Sequence, residues 1–263
     1  MPNLAEYILS FCSPSSDAQQ YALTHLGRLV KTLEITPPGS DHDRILEMGA
    51  YMQITPALKT RLGYGEVRGC YLGPIGETHE KSVTSTKGET FSCFIDLFNA
   101  ERDRYPYPDD HFDTVVCCEL LEHLAEDPMH MMSEVNRILR QDGHFVLSTP
   151  NICALRAVSA VLCDNHPEIY SQYTVREGGN QVAPRHAREY TPREIRQLLE
   201  VAGFETKIMD TGPYSLQRPE NHDWTIELLQ QHGFSTDLRD DVIHAVGKKV
   251  GAVRERYPDW LYA

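Results

Sequence analysis

The sequence predicts an α/β fold built on a seven-stranded, mostly parallel sheet with helices on both faces and an antiparallel edge strand. Short, nearly continuous apolar runs of strand length alternate with stretches of helical periodicity, which is typical of a parallel sheet covered on both faces. Near the end of the chain, two more strand patterns are joined by more than a tight turn. That spacing favours an antiparallel strand at the edge of the sheet.

The predicted elements follow one another in a regular order. Residues 15–33 predict one amphipathic helix capped by the serines before it, and a Pro-Pro-Gly loop follows. The predicted strands are residues 44–48, 67–72, 91–97, 114–118, 144–148, 204–210 and 241–247, and the polar residues 78–90 predict an exposed hairpin or loop. The other predicted helices are residues 55–62, 128–140, 191–202 and 223–232, and the third of these has Thr191 as N-cap and Gly203 as its stop.

The composition is that of a globular protein with an acidic balance. Lys and Arg number 25 and Asp and Glu number 38, so the formal net charge is −13. Broad nucleic-acid and anionic-membrane surfaces need clustered positive charge, so we expect neither partner. No apolar run approaches the ~18 residues of a membrane span, and no signal peptide is visible. The seven cysteines are scattered and form no CxxC pair, which predicts reduced thiols and a cytoplasmic location.

The first ligand-binding signal is RILEMGA at residues 44–50. Open α/β sheets bind nucleotide-like ligands at the carboxyl ends of their strands, and this segment is a predicted strand end. Glu47 can receive a positive group, and Gly49 lets the backbone approach a ligand. The segment is equally typical of a plain strand–helix turn. It is not the dinucleotide-binding GxGxxG of nicotinamide oxidoreductases, because Tyr51 and Ile54 stand at the glycine positions.

Three later segments extend this signal: YPYPDDHFDTVVCCELLEHL, ILRQDGHFVLSTPN and REYTPREIRQLLEVAGF. Together with ILEMGA they cover about residues 44–210, and in this order they resemble the class I S-adenosylmethionine-dependent methyltransferases. The resemblance implies a Rossmann-like sheet and S-adenosylmethionine as cofactor. It divides the chain into an N-terminal helical cap (1–40), a cofactor-binding core (41–150), a lid or acceptor-binding insertion (151–190) and the end of the core sheet (191–263). Within this insertion, we expect residues 164–186 to be mobile in the free protein.

The resemblance also assigns cofactor contacts to individual residues. They are Glu47, Gly49, Ala50, Cys118 and Glu119 at the methionine portion, Tyr71 near the ribose, and Asn99, Ala100 and Glu101 around the adenine. Tyr71 departs from the pattern, because an acidic residue usually receives the ribose hydroxyls. A tyrosine hydroxyl can form a hydrogen bond there, but it lacks the bidentate, charge-assisted acceptance of a carboxylate.

Glu119-x-x-Glu122-His123 predicts a second cluster. If a helix begins near Glu119, the three side chains share one face, where carboxylates and an imidazole can hold a divalent metal. The pattern resembles ExxEH in small-RNA 3′-terminal 2′-O-methyltransferases and some ubiquinone-pathway O-methyltransferases. A further histidine of the former group, shortly before a Glu-aromatic-Thr helix start, is matched by His186. The expected metal ligands are Glu119, Glu122, His123 and His186; the alternative is a helix start whose histidine faces the acceptor.

The resemblance implies methyl transfer from S-adenosylmethionine, and the polar insertion over 151–186 suits a small polar acceptor such as a sugar or secondary metabolite. A hydroxyl is the expected acceptor group, and a nitrogen acceptor stays open. His123 and His186 are the predicted catalytic residues, as general base or as metal ligands. Two alternatives stay open: an RNA 2′-O-methyltransferase, and a non-catalytic binding protein with the same fold. A homodimer also stays open.

Overall fold

The computed structural model of the chain describes residues 3–175, 182–214 and 222–263. Its helices are α1 Leu4–Ser10, α2 Asp17–Thr24, α3 Leu26–Ile35, α4 Thr55–Thr60, α5 Pro128–Ile138, α6 Leu155–Leu162, α7 Pro192–Val201 and α8 Asp223–Gln231. Its strands are β1 Arg44–Met48, β2 Glu66–Tyr71, β3 Thr78–Thr84, β4 Thr90–Leu97, β5 Phe112–Cys118, β6 Leu139–Pro150, β7 Tyr173–Val175, β8 Val182–Pro184, β9 Phe204–Gly212 and β10 Val242–Lys249. No helix within these three ranges is long and apolar enough to cross a membrane.

The main sheet has the order β3-β4-β2-β1-β5-β6-β10-β9. Its central strands β4, β2, β1, β5 and β6 are parallel, which confirms the predicted fold class. Strand β10 runs antiparallel to both β6 and β9, so the antiparallel strand near the C-terminus lies one position inside the edge. The antiparallel edge strand is β3, at the opposite side of the sheet.

The sheet has eight strands among the described residues, one more than predicted. The additional strand is β3, which pairs with β4 in a hairpin. The side chains of β3 are almost all exposed to solvent. A strand with no buried face leaves no alternation of apolar and polar residues to detect, so only the hairpin was predictable.

Alternate residues of each strand supply two cores, one on each face of the sheet. Leu46 and Val115 belong to the core beneath α5 and α7. Their neighbours Ile45 and Val116 belong to the core beneath the N-terminal helices and α4. Helices therefore cover both faces, as the continuous apolar strands predicted.

The prediction of one helix over residues 15–33 is wrong, because α2 and α3 meet at His25. His25 leaves the helical conformation with φ −102° and ψ 11°. Its buried ring packs between Tyr21 and Tyr214, with ring centroids 4.2 and 4.6 Å away. The break thus coincides with a contact to a residue distant in sequence, and Gly27 lies two positions after it.

The segment after β6 contains α6 and a two-stranded hairpin of β7 and β8. Gly178 and Gly179, the basis of the predicted mobile lid, lie outside the described residues. The chain then returns to the sheet through α7. Thr191 and Glu194 form a complete capping box at its start, and Gly203 follows its end with φ +85°, as the sequence predicted.

Candidate active site

A cavity of about 900 Å³ opens at the carboxyl ends of β1, β2, β4 and β5. The predicted site residues that line it are Glu47, Gly49, Tyr71, Asn99, Ala100, Glu101, Cys118, Glu119, Glu122, His123 and His186. Ala50 does not line the cavity. It is fully buried, and a Cβ added to Gly69 of β2 would come within 2.6 Å of its side chain. Its small size therefore serves the contact between the turn and β2.

The turn after β1 presents a backbone and a carboxyl group to the cavity. Gly49 has φ +71°, and its N–H donates to the carbonyl of Cys70 at 3.0 Å. Glu47 is buried, and its Oε2 has no hydrogen-bond partner among the described residues. Burial raises the pKa of Glu47 to about 7. A positive group of a ligand would stabilise the ionised carboxylate here.

Tyr71 ends β2 at the rim of the cavity. Its hydroxyl accepts a hydrogen bond from Lys81 Nζ at 3.0 Å, and the same ammonium lies 4.1 Å from the centre of its ring. The ring of Tyr51 packs against it edge to face, 5.1 Å away. At the position where the family usually has an acidic residue, this chain therefore has a tyrosine. Its side chain contacts a lysine of the additional strand β3.

The loop after β4 is held in place by carboxylate and amide groups. Asn99 Oδ1 accepts the N–H of Glu101 at 2.8 Å. Glu101 Oε1 in turn accepts the backbone N–H groups of Glu126 at 2.6 Å and Asp127 at 3.1 Å. This carboxylate thus joins the loop after β4 to the segment after β5, and both border the cavity.

The helix predicted from Glu119 does not form. Glu119 has φ +52° and precedes a short 3-10 turn, Leu121–His123, so it does not share a helical face with Glu122. Its Oε1 accepts a hydrogen bond from Ser148 Oγ at 3.1 Å, and its Oε2 lies 4.0 Å from Arg28 Nε. Cys118, beside it, is a neutral thiol, because burial raises its pKa to about 11.

Glu122, His123 and His186 bring one potential ligand atom each within 4.8 Å of one another. Glu122 is 1% exposed; its Oε2 accepts a hydrogen bond from Thr149 Oγ1 at 3.0 Å, and its Oε1 has no partner in the described part of the chain. His123 Nε2 lies 3.8 Å from this free oxygen. The rings of the two histidines meet edge to face at 4.9 Å.

The far nitrogen of each histidine ring is already engaged. His123 Nδ1 lies 2.7 Å from the carbonyl oxygen of Arg185, and His186 Nδ1 lies 2.9 Å from Glu189 Oε1. Both partners are acceptors, so each Nδ1 carries a proton, and in the neutral form of the ring Nε2 keeps a free lone pair. Burial lowers the pKa of His123, which favours this neutral form. Two imidazole nitrogens oriented by such partners and one carboxylate oxygen fit a divalent metal ion.

A family model described as a methyltransferase domain matches residues 20–207 of the 263. The chain belongs to this family. Its membership confirms the class I methyltransferase predicted from the sequence motifs and, with it, S-adenosylmethionine as the cofactor.

Two curated methyltransferases resemble parts of the chain. A protein of Mycolicibacterium smegmatis, named as a probable S-adenosylmethionine-dependent methyltransferase, is 32% identical over 114 residues, 43% of this chain and 36% of that protein. The uncharacterized methyltransferase YcgJ of Bacillus subtilis is 28% identical over 130 residues, 46% of this chain and 45% of that protein. The matched segments thus span less than half of either relative.

A solved structure extends the likeness in fold over most of the chain. It is described as a complex between the Haloferax volcanii Trm112 methyltransferase activator and the putative methyltransferase, and the matched chain has 16% sequence identity and a TM-score of 0.54. The match covers 88% of this chain and 91% of that one, so the methyltransferase fold extends well beyond the motifs.

The methyltransferase cavity also contains residues that sequence reasoning missed. They include Tyr21, His25, Arg28, Tyr170 and Tyr214, which come from the N-terminal helices, the segment before β7 and the segment after β9. Only Arg28 left a detectable signal, since it is a charged residue next to the apolar stripe of α3. The aromatic residues converge through tertiary packing, and Tyr170 and Tyr214 meet through their hydroxyls at 3.0 Å.

Proposed function

We propose that the protein transfers a methyl group from S-adenosylmethionine to a hydroxyl of a small polar acceptor, such as a sugar or secondary metabolite. The observation that carries this proposal is the convergence of Glu122, His123 and His186 in the cofactor cavity, where each offers a potential ligand atom within 4.8 Å of the others and Glu122 Oε1 has no partner among the described residues. A hydroxyl must lose its proton to become a methyl acceptor, and these are groups that can remove it or lower its pKa. A nitrogen acceptor needs less such help.

The cofactor lies along the strand ends. Gly49, Cys118 and Glu119 would hold its methionine portion, Tyr71 its ribose, and the loop after β4 its adenine. The bound cofactor supplies an electrophilic methyl group. The chain has to place the acceptor oxygen in line with that methyl group, and positioning of this kind accounts for much of the rate.

His123 and His186 act on the acceptor in one of two ways. Without a metal, one neutral Nε2 accepts the hydroxyl proton while its Nδ1 partner stabilises the resulting imidazolium; for His186 that partner is the carboxylate of Glu189. With a metal, Glu122, His123 and His186 would hold a divalent ion, and the chemistry it would supply is Lewis acidity that lowers the pKa of the acceptor hydroxyl. The buried, unpartnered Glu122 oxygen favours the metal, because a cation would compensate its lost hydration. Glu119 would then lie outside the three-residue ligand set.

The test is a methyl-transfer assay on a panel of sugars, polyols, phenols and a short RNA, with Mn²⁺ or with a chelator. We expect a small hydroxyl compound to be methylated, and Glu122→Gln, which retains an acceptor for Thr149, to lose at least about 100-fold in turnover. His79→Ala is the matched control, since His79 is an exposed histidine of β3 outside the cavity.

The metal has a readout independent of activity. Calorimetric titration with Mn²⁺ should show one site in the wild type and none in Glu122→Gln. If chelator and metal have no effect on turnover but the histidine variants are slow, the metal-binding role is refuted and the general-base role is retained. If the RNA is the one compound of the panel that is methylated, the result would favour RNA 2′-O-methylation instead. Cofactor binding without turnover of any acceptor would support the non-catalytic binding protein.

A further inference from the structure

An arginine without an ionic partner lies beside the histidine cluster. Arg185 directly precedes His186 in the chain, lines the cavity and is exposed to solvent. Four carboxylate side chains line the same cavity, and Arg28, its other arginine, lies 4.0 Å from one of them, Glu119. Among the described residues, no carboxylate lies within ion-pair distance of the Arg185 guanidinium. This cation is therefore available to an anionic ligand.

The Arg185 guanidinium is held in place by an aromatic ring. Its central carbon lies 3.4 Å from the centre of the Tyr170 ring, well inside the ~6 Å of a cation–π contact. The Tyr170 ring is fixed in turn, because its hydroxyl meets that of Tyr214 at 3.0 Å and its edge packs against His186, with ring centroids 5.0 Å apart. Stacking uses the face of the guanidinium and leaves the N–H groups of its edge for a ligand. The guanidinium is thus oriented before a ligand binds, which lowers the entropy cost of binding.

The backbone of Arg185 connects this group to the catalytic cluster. Its N–H donates to the carbonyl of Gln172 at 3.0 Å, and its carbonyl accepts the Nδ1–H of His123 at 2.7 Å. The same residue therefore orients one catalytic histidine and extends a cation beside the other. The Tyr170 ring contacts both the guanidinium and His186, so one small molecule can reach both groups.

We propose that the methyl acceptor is a small anionic hydroxyl compound, whose carboxylate or phosphate binds the Arg185 guanidinium while its hydroxyl lies at His123 and His186. The planar guanidinium matches either anion through two parallel hydrogen bonds. The carboxylates that line the rest of the cavity repel such a group, so Arg185 selects one orientation of the acceptor. The inference rests on the proposed function and adds to it a substrate class and a specificity-determining residue.

Matched pairs of neutral and anionic hydroxyl compounds test the proposal: glucose with glucuronate, catechol with protocatechuate, and glycerol with glycerol phosphate. Calorimetry measures their affinities for the protein saturated with S-adenosylhomocysteine, so this readout does not depend on turnover. Methyl-transfer kinetics with S-adenosylmethionine then give KM and kcat. The variants are Arg185→Gln and Arg185→Lys. Arg61→Gln is the matched control, because Arg61 also stacks on a tyrosine, 4.0 Å from the ring centre of Tyr7, but does not line the cavity.

We expect an anionic compound to bind the wild type more tightly than its neutral partner, and the pair that shows this identifies the anion as carboxylate or phosphate. Arg185→Gln should weaken that binding by about 10- to 100-fold, the effect of losing charge-assisted hydrogen bonds, and leave the neutral partner and S-adenosylhomocysteine unchanged. The loss should appear in KM rather than in kcat, because the contact is remote from the reacting oxygen. Arg185→Lys keeps the charge without the planar donors and should show a smaller loss with the same selectivity, which keeps the test decisive if Arg185→Gln does not fold.

Two results would overturn the inference. If no anionic compound binds the wild type more tightly than its neutral partner, the cavity does not select an anion. If Arg185→Gln weakens both members of a pair equally, or neither, Arg185 does not bind the anionic group; methylation of the neutral compounds would then leave the proposed function in place. Conversely, binding of an anionic compound through Arg185 without methylation of any compound would refute hydroxyl methylation and support the anion site.

Discussion

Replacing Gly49 by alanine tests two requirements at this position in the turn after β1, one for the backbone conformation and one for cofactor binding. The first is conformational: Gly49 has φ +71°, and a Cβ placed there would meet no atom within 4 Å. The substitution therefore adds strain without a clash. The left-handed conformation costs a non-glycine residue about 1–2 kcal/mol. For a chain of this size that corresponds to a melting temperature lower by about 2–8 °C.

The second demand is access for the cofactor. The open space beside Gly49 belongs to the cavity, so the added methyl group occupies volume that the methionine portion needs. We expect the affinity for S-adenosylhomocysteine to fall at least about tenfold, equivalent to ~1.4 kcal/mol. Calorimetry gives the affinity, and thermal melting of the free protein gives the strain.

Gly88→Ala is the matched control for Gly49→Ala. Gly88 also has positive φ, +84°, and open space at its Cβ, but it lies in the turn between β3 and β4 and does not line the cavity. Both variants should lose similar stability, and only Gly49→Ala should lose cofactor affinity. If both variants bind S-adenosylhomocysteine as tightly as the wild type, the ligand does not approach this turn and the proposed position of the cofactor-binding site is wrong.

Three further predictions concern the catalytic cluster and the stability of the fold. His123→Ala and His186→Ala should each lower turnover at least about 100-fold in steady-state kinetics, with S-adenosylhomocysteine affinity nearly unchanged; full turnover in both would remove the catalytic role. Burial lowers the pKa of His244 to about 4 from an ordinary 6.5, so between these values the unfolded chain binds a proton that the folded chain does not. In denaturant titrations the wild type should lose about 2 kcal/mol more stability than His244→Gln as the pH falls from about 6.5 to about 5; equal losses would contradict this. Thr191→Ala removes the capping box shared with Glu194 and should cost about 1 kcal/mol in the same titrations, whereas an unchanged midpoint would show that the cap contributes nothing.

The parallel sheet was predictable because its buried strands are apolar on both faces. β1 has the predicted bounds, Arg44–Met48, and the ends of β1, β2, β4 and β5 bring the predicted cofactor residues other than Ala50 to one cavity. The start of α7 was equally readable, since its capping box is a local sequence pattern. These features depend on residues near one another in sequence.

The remaining features depend on contacts across the fold. The N-terminal helix breaks at His25, where the ring packs against Tyr214, almost two hundred positions away. Glu119 takes a left-handed conformation and separates from Glu122, which helical spacing alone could not reveal. Arg28 was missed because its role in the cavity depends on α3 packing over the ends of β1 and β5.

The most direct test of the proposed cofactor-binding site is a crystal structure of the protein with S-adenosylhomocysteine. We expect the homocysteine portion against Gly49 and Cys118, the ribose near Tyr71, and the sulfur directed towards the cluster of His123 and His186. Density for the ligand away from the carboxyl ends of β1, β2, β4 and β5, or in this cavity with the sulfur directed away from both histidines, would contradict the account.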